Sequence, residues 1–332
     1  MNYHNILMED VARIVENGMG LDAFKNLAAS LPEVGVKYNK RIGLLEMFLN
    51  MINAEDLKKL QAGEALIKIE AIIRSLFDST GRVIPPRGFK PKVKDENNNF
   101  CLNQIEINFK DCLKRMQEYL PGYKFSSLLE SQDKYEAVKK KALQHSQIGP
   151  NAFKRCSLFL PIPHIPELAD LKKLHQVFNN LLEAVKRAYE NEFSKDRRVF
   201  KNYRRGILQK NVLVVSGTRH KKLLDLVVKA PQVGILLPNS LQGYSIIADR
   251  KIISLFPKFV SLVGIEYILA MIGYSDILAR GWNISGLNLS AIYLQNIDSS
   301  FFFKAYDSDL IFDCIDNLFI AHNYFSGGLF LS

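Results

Sequence analysis

The alternation of short β-branched runs with turns and amphipathic stretches in the last third of the chain most constrains the fold. "NVLVVSG" at 211–217 predicts a strand, "TRHKKLLDLVVKAP" at 218–231 a short helix, and "QVGILLPNS" at 232–240 a second strand. A strand, a glycine-containing turn, a helix and a strand in this order are typical of a parallel βαβ unit. The pattern therefore predicts a small α/β, Rossmann-like region.

The rest of the last third fits the same prediction. The expected elements are, in order, a strand in "GYSIIADR" at 243–250, a buried helix within 252–274, a strand in "SSFFFKAY" at 299–306, a helix in "SDLIFDCIDNLFIAH" at 308–322 and a final strand in "GGLFLS" at 327–332. The apolar stretch 252–274 also raises the question of a membrane span. Pro257, Lys258 and Glu266 interrupt it, and charges are costly in lipid. We therefore expect no transmembrane segment.

The first two thirds predict helices separated by one strong break. We expect a helical region at 1–80, a linker or long surface loop at 81–103, where glycine, prolines and an asparagine run stand close together, and a second helical region at 104–205. An amphipathic helix begins at Pro166 and continues into a basic helix end. With an α/β domain at 206–332, the fold class predicted is α+β, a helical N-terminal region followed by a small α/β C-terminal region.

Positive charge is concentrated at the boundary between these two regions. The chain has 332 residues and a formal net charge of +10, and residues 195–222 hold ten Lys or Arg against a single acid. A charge density of this kind attracts polyanions and accelerates encounter with them. The partner it favours is RNA or DNA first, with an anionic membrane surface or an acidic protein as alternatives.

The basic stretch at 195–205 has two interpretations. As a docking surface it would contact a polyanion, and aromatic residues at 193, 200 and 203 are interleaved for stacking on bases. The expected contact residues are Arg197, Arg198, Lys201, Tyr203, Arg204 and Arg205. As an exposed helix end it would hold cations only because the C-terminal dipole favours them, with Gly206 as the stop. The sequence leaves both interpretations open.

The turn "SGTRHKK" at 216–222 is the best candidate for a small anion site. Free backbone N–H groups and cationic side chains at a helix start suit phosphate, and open α/β sheets bind ligands at the carboxyl ends of their strands. The expected site residues are Ser216, Gly217, Thr218, Arg219, His220, Lys221 and Lys222. This gives an alternative function, an enzyme acting on a nucleotide or phosphorylated substrate, with Asp249 or Asp309 in the chemistry. An exposed basic turn is the plainer interpretation.

The remaining patterns assign no catalytic residue, no metal site and no cofactor. The acids of "YDSDLIFDCID" at 306–316 are explained by helix capping and the helix dipole, although Asp309 and Asp313 would share one helical face. A period of five at 282–301 is better explained by a buried loop or strand pair than by a solenoid. The four cysteines show no metal or disulfide spacing, which predicts buried thiols. No secretion signal is visible, so we expect a cytoplasmic protein unless it is exported by another route.

Overall fold

The computed structural model describes residues 75–86, 88, 89, 93, 102–208, 211–295, 299–306 and 309–332. Residues Ser75–Ile84 and Lys90–Ser332 form one compact unit. The predicted helical region 1–80 lies outside the described residues except for its last six positions. Of the predicted linker 81–103, Arg82, Val83 and Val93 are buried. The domain boundaries themselves stay predictions.

A mixed sheet of nine strands is the centre of the described chain. The strands are β1 (Leu158–Ile162), β2 (Val199–Asn202), β3 (Val212–Val214), β4 (Gln232–Gln242), β5 (Val260–Leu262), β6 (Gly286–Leu294), β7 (Ser299–Ala305), β8 (Asp309–Ile315) and β9 (Phe325–Leu331). Their order is β1-β4-β9-β6-β7-β8-β2, with β3 paired to β6 and β5 paired to β9. The pairs β6–β9 and β2–β8 are parallel and the others antiparallel.

Seven helices accompany this sheet in the described residues. They are α1 (Phe109–Tyr119), α2 (Leu128–Gln144), α3 (Leu174–Glu192), α4 (His220–Val227), α5 (Ile246–Ile252), α6 (Ile265–Gly273) and α7 (Ser275–Leu278). Every residue of α6 is buried, and this helix packs against α1, α3 and β1. The predicted apolar stripe from Pro166 becomes the buried face of α3, although residues 166–169 and 171–173 are short 3₁₀ turns before it.

The predicted fold class, a helical N-terminal region followed by a small Rossmann-like C-terminal region, is wrong, because one nine-stranded mixed sheet includes β1 and β2 from the predicted helical region 104–205. Strands β3 and β4 form where the sequence predicted them, with α4 between them, but they do not pair with each other. Strand β3 instead lies antiparallel to β6, and β4 lies antiparallel to β1 and β9. The local βαβ pattern is therefore present in the sequence order, while long-range pairing places its two strands at different positions of one large mixed sheet.

Two predicted elements have the opposite secondary structure. Of residues 308–322, predicted as a helix, Asp309–Ile315 form β8, in which Leu310, Phe312 and Cys314 are buried in alternation with half-buried neighbours. Residues 243–250, predicted as a strand, lead into α5, because the Ser245 hydroxyl accepts a hydrogen bond from the backbone N–H of Ala248 and caps a helix. In each case a local signal for the observed element was present beside the signal used for the prediction.

The predicted buried helix within 252–274 is shorter than expected. Only α6 is helical in its second half, while a 3₁₀ turn at Ile253–Leu255 and strand β5 occupy the first half. Pro257 lacks the N–H that a continuous helix would need, and β5 pairs with β9 instead. Strands β7 and β9 confirm the two later strand predictions, and β6 with β7 confirms a strand pair within the period-five stretch.

The predicted basic helix end is also replaced by a strand. Helix α3 stops at Glu192, a short 3₁₀ turn spans Ser194–Asp196, and Arg197 adopts the left-handed backbone conformation with φ of 55°. The chain then enters β2, which pairs with β8 in parallel and forms one end of the sheet order. The basic residues are therefore carried by an edge strand and the turns that flank it.

Candidate functional site

The basic edge, defined here as residues 195–205, is the first half of the predicted polyanion surface. It contains six Lys or Arg and one acid. Val199, Lys201 and Tyr203 are exposed, whereas Phe200 is buried, as expected for a strand with one face on the core. The strand geometry therefore projects Lys201 and Tyr203 to the same side of the sheet edge.

Two cations of the basic edge are paired with acids of the neighbouring strand. The Nζ of Lys201 lies 2.6 Å from the Asp309 carboxylate, and the Nε of Arg204 lies 2.5 Å from that of Asp313. The hydrogen bond and charge of Asp309 raise the pKa of Lys201. These two pairs link β2 to β8, so part of the local positive charge is explained by the fold. They also place the predicted acids Asp309 and Asp313 on the exposed side of a strand.

Three other cations of the basic edge extend toward solvent. Lys195, Arg197 and Arg205 are exposed, and their side chains form no ion pair with any residue in the described part of the chain. Charged residues on an edge strand also discourage pairing with another chain. That role accounts for charge on β2 itself, but Lys195, Arg197 and Arg205 lie in the flanking turns.

An open cleft adjoins the basic edge. The aromatic cleft, as we call it, has a volume of about 410 Å³ and is lined by Arg198, Arg280, Gly281, Trp282 and Asn283. Trp282 is the only tryptophan of the chain, and 62% of its surface is exposed. The cleft therefore combines two guanidinium groups, one amide and one accessible indole ring.

The guanidinium group of Arg198 is held in place on the wall of this cleft. It lies over the ring of Phe193, at 4.6 Å from the ring centre, and donates a hydrogen bond to the backbone carbonyl of Arg280. Its Nε is 3.5 Å from the Asp196 carboxylate. These contacts connect the turn after α3 to the loop after α7, two segments far apart in the sequence.

Lys304 fixes the backbone beneath Trp282. Its Nζ donates to the carbonyl oxygens of Ile284 at 2.9 Å and of Trp282 at 3.4 Å. Burial lowers the pKa of Lys304 to about 8. The loop that carries Trp282 is thus attached to β7 from below, while its indole remains exposed.

The three aromatics expected to stack on bases are placed differently. Phe200 is in the core and Phe193 is covered by Arg198, so only Tyr203, at 54% exposure, presents a ring to solvent. The exposed ring beside the guanidinium groups is Trp282. Sequence reasoning noted Trp282 only as part of the period-five stretch and missed Arg280 and Asn283. An isolated tryptophan after a glycine, outside any apolar run, was the available signal.

The predicted anion turn at 216–222 lies partly in the interior of the fold, with Thr218 and His220 buried and Arg219 half-buried. Arg219 has a left-handed backbone with φ of 64°, and its guanidinium donates to the carbonyl oxygens of Phe256, Pro257 and Val260. Three cations at a helix start predicted a bound anion. For Arg219, backbone carbonyl oxygens supply the negative partners instead. Burial lowers the pKa of Arg219.

Other members of the turn also have protein partners. The Thr218 hydroxyl donates to the carbonyl of Val215 at 2.7 Å instead of capping α4. Lys221 pairs with Asp225 one helical turn later. Ser216, Gly217 and Lys222 are exposed. The structure thus brings together only part of the predicted set at the surface, and the anion site stays a prediction.

His220, the remaining member of the turn, is fully buried beside Glu266. Its Nδ1 lies 3.2 Å from one carboxylate oxygen of Glu266, and the other oxygen accepts a hydrogen bond of 2.7 Å from the backbone N–H of Gly264. The His220 Nε2 faces Gly264, where an added Cβ would lie 2.6 Å from it. The pair therefore joins the start of α4 to the start of α6 inside the core.

Asp249, predicted as a possible catalytic acid, is fully buried on α5. One carboxylate oxygen accepts a hydrogen bond from the Ser290 hydroxyl, and the other has no hydrogen-bond partner among the described residues. Burial raises the pKa of Asp249 to about 8. A Cβ on Gly327 would lie 2.1 Å from this carboxylate, so only glycine fits there. Asp249 lines no described cleft.

Cysteine burial agrees with the sequence for the residues that can be examined. Cys112, Cys156 and Cys314 are buried free thiols, and burial raises the pKa of Cys112 and of Cys156 to about 12. Cys101 lies outside the described residues. Across the described ranges, His, Cys, Asp and Glu side chains form no group of three or more that could hold a metal ion. No described helix has both the length and the apolar character needed to cross a membrane.

No protein-family model, no curated protein and no solved structure matches the chain.

Proposed function

We propose that this protein binds nucleic acid without catalysing a reaction, and that the basic edge is its contact surface. In this proposal Arg197 and Arg205, together with Lys195, contact phosphate groups directly. Lys201 and Arg204 add positive potential while they remain paired with β8. Arg198 and Tyr203 lie on the same segment, and Arg198 also lines the aromatic cleft.

One observation carries the proposal. Three exposed cations that pair with no described acid lie in the turns that flank β2, and Arg198 of the same segment lines a cleft together with Arg280. Phosphate contacts from Lys and Arg supply most of the affinity of nonspecific nucleic-acid binding. An anionic membrane would be served by the same charges and by an exposed tryptophan, but the paired donor and acceptor of the Asn283 amide are matched by base edges and not by a lipid phosphate. Nucleic acid is therefore the partner we favour over a membrane surface or an acidic protein.

The compartment that we propose is the cytoplasm. Three buried thiols without disulfide partners are stable in a reducing environment. RNA is the nucleic acid that this compartment offers most abundantly to a basic surface. The proposal is tested by binding and does not depend on the compartment.

The expected result of removing the exposed charges is a weaker and less salt-dependent interaction. The triple variant with Lys195→Gln, Arg197→Asn and Arg205→Gln removes the three cations that pair with no described acid. Asparagine is chosen at 197 because it tolerates a left-handed backbone. The slope of log affinity against log salt should decrease by about two units for a single strand, since each lost phosphate contact removes about 0.7. Fluorescence anisotropy of a labelled oligonucleotide at several salt concentrations measures this slope.

A matched variant separates a local surface from net charge. Lys172→Gln, Lys173→Gln and Lys229→Gln also removes three exposed cations, and Lys172 and Lys173 precede α3, whose other end leads to the basic edge. Helix α3 has 19 residues, which corresponds to a length of about 28 Å. This control should leave the slope unchanged. Equal losses in both triple variants, or absence of binding in the parent protein, would refute the proposed surface.

A further inference from the structure

The aromatic cleft contains the groups needed to hold one unpaired nucleotide. We infer that it binds a single-stranded segment, with a base stacked on Trp282; this inference rests on the proposed function and specifies its ligand. A volume of about 410 Å³ lies within the range of roughly 300–1,000 Å³ found for ligand pockets. The cleft is therefore large enough for a small organic group such as a nucleobase.

The exposed ring of Trp282 offers a surface for stacking. Trp282 presents most of its surface to solvent, while Lys304 donates hydrogen bonds to the backbone carbonyls of Trp282 and Ile284. Base-on-aromatic stacking contributes substantially to single-strand binding and tolerates any base, because every base has a π-face. The accessible indole can therefore stack on a base, on a loop whose backbone is hydrogen-bonded to Lys304.

The polar groups of the cleft suit the edge of a base and a phosphate. Asn283 offers an amide donor and an acceptor, the chemistry that reads the edges of unpaired bases. Arg198 and Arg280 supply guanidinium groups, which suit phosphate geometry. Ring, amide and guanidinium thus match base face, base edge and phosphate of one nucleotide.

The basic edge continues from the aromatic cleft. Arg198 belongs both to the cleft and to the basic edge, so a strand that places one base on Trp282 can continue along the cations at 195–205. In a duplex the faces of the bases are covered by their stacked neighbours, and a tryptophan beside the helix cannot reach them. The cleft therefore favours single strands, whereas the basic edge alone would bind either form.

The test compares single-stranded and duplex oligonucleotides of equal length, using the whole 332-residue chain at low ionic strength. Because Trp282 is the only tryptophan, quenching of its fluorescence reports directly on stacking in the cleft. We expect quenching by the single strand and little by the duplex. Trp282→Ala should lower the single-strand affinity roughly 5- to 150-fold, the equivalent of one lost base stack, and leave duplex affinity unchanged.

Two further variants make the result specific. Trp282→Phe retains a ring and should recover most of the single-strand affinity. Phe319→Ala removes another aromatic that is also 62% exposed, and should change neither affinity. Thermal unfolding of each variant checks that the exposed substitutions leave the fold intact.

The outcomes separate this inference from the proposed function. If the parent protein binds nucleic acid with the expected salt slope but Trp282→Ala keeps its single-strand affinity, the cleft inference is overturned and the basic edge stands. Quenching of Trp282 in the parent protein, combined with an unchanged single-strand affinity in Trp282→Ala, would also overturn it. Binding to vesicles of anionic lipid, with no binding to either nucleic acid, would overturn both.

Discussion

Replacing Asp249 by asparagine is expected to stabilise the protein by about 4 kcal/mol at pH 7. The carboxyl group is fully buried, and burial raises its pKa to about 8, partly offset by the Ser290 hydrogen bond and the charge of Arg250. Asparagine has nearly the same shape and can keep a hydrogen bond with Ser290, but it does not ionise. The substitution therefore removes a titration that opposes folding.

The sign and the pH window follow from the two states of the acid. In the unfolded chain the pKa is about 3.9, so between about pH 4 and pH 8 the unfolded state has lost a proton that the folded state keeps. The stability of the parent protein contributed by this group falls as pH rises through that window, by about 1.4 kcal/mol per pH unit. Below the window, acid and amide are both neutral and the two proteins should be nearly equal.

Urea unfolding of both proteins from pH 4 to pH 8 measures this difference. Other titrating groups are common to the two proteins and cancel in the comparison. A stability difference that grows with pH is the expected result. A difference that stays constant across the window would show that Asp249 is not held neutral by burial.

Replacing Glu266 by alanine is expected to destabilise the protein by about 3–5 kcal/mol, the usual cost of breaking a buried polar pair. The side chain accepts hydrogen bonds at both carboxylate oxygens, from Gly264 and from the His220 ring. Alanine would leave a backbone N–H at the start of α6 and a ring nitrogen of His220 buried without partners, and each such group costs free energy.

Glu266→Gln separates hydrogen bonding from the mere presence of a side chain. The glutamine amide fills the same space and can still accept a hydrogen bond from the backbone N–H of Gly264. The midpoint of urea unfolding should therefore decrease less in Glu266→Gln than in Glu266→Ala. Glu183→Ala, an exposed acid on α3, is the control and should change stability by less than about 0.5 kcal/mol. A cost below about 1 kcal/mol for Glu266→Ala would mean that the pair does not stabilise the core.

The sequence specified several elements but not how they pair. Short runs, β-branched in β3 and β4 and containing phenylalanine in β7 and β9, located these four strands, because strand preference is read from a few neighbouring residues. The choice of partner depends on residues far along the chain, such as Val212 opposite Leu294. A local βαβ pattern carries no information on that choice, and the predicted parallel unit was wrong for this reason.

Ambiguous periodicity explains the helix that proved to be β8. Asp309 and Asp313 are four residues apart, a spacing that fits one helical face but also one face of a strand. In the fold Leu310, Phe312 and Cys314 form the buried face of the strand, whereas Asp309, Ile311 and Asp313 lie on its half-buried face. Asp309 and Asp313 form ion pairs with Lys201 of β2 and with Arg204 just beyond β2, and these pairs hold the sheet edge.

The candidate site was half visible in the sequence. Charge density alone located the basic edge, because six cations stand within eleven consecutive residues. The aromatic cleft was not visible, since Arg198 and Arg280 are 82 positions apart and meet only through the folded chain. The turn at 216–222 shows the opposite case, in which the charge was visible but its partners were not. The carbonyl oxygens that accept from Arg219 belong to a segment near residue 257.

Photo-cross-linking of the parent protein to a thiouridine-substituted single-stranded RNA tests the central claim most directly, because it locates the contact as well as detecting it. Mass spectrometry of the cross-linked peptides should place the RNA on residues 195–205 and on the loop with Trp282. The run Lys139 to Lys141 on α2 is another exposed or half-exposed basic stretch and serves as the internal comparison. Cross-links confined to that run, or none at concentrations that saturate binding, would contradict the assignment of nucleic-acid binding to the basic edge and the aromatic cleft.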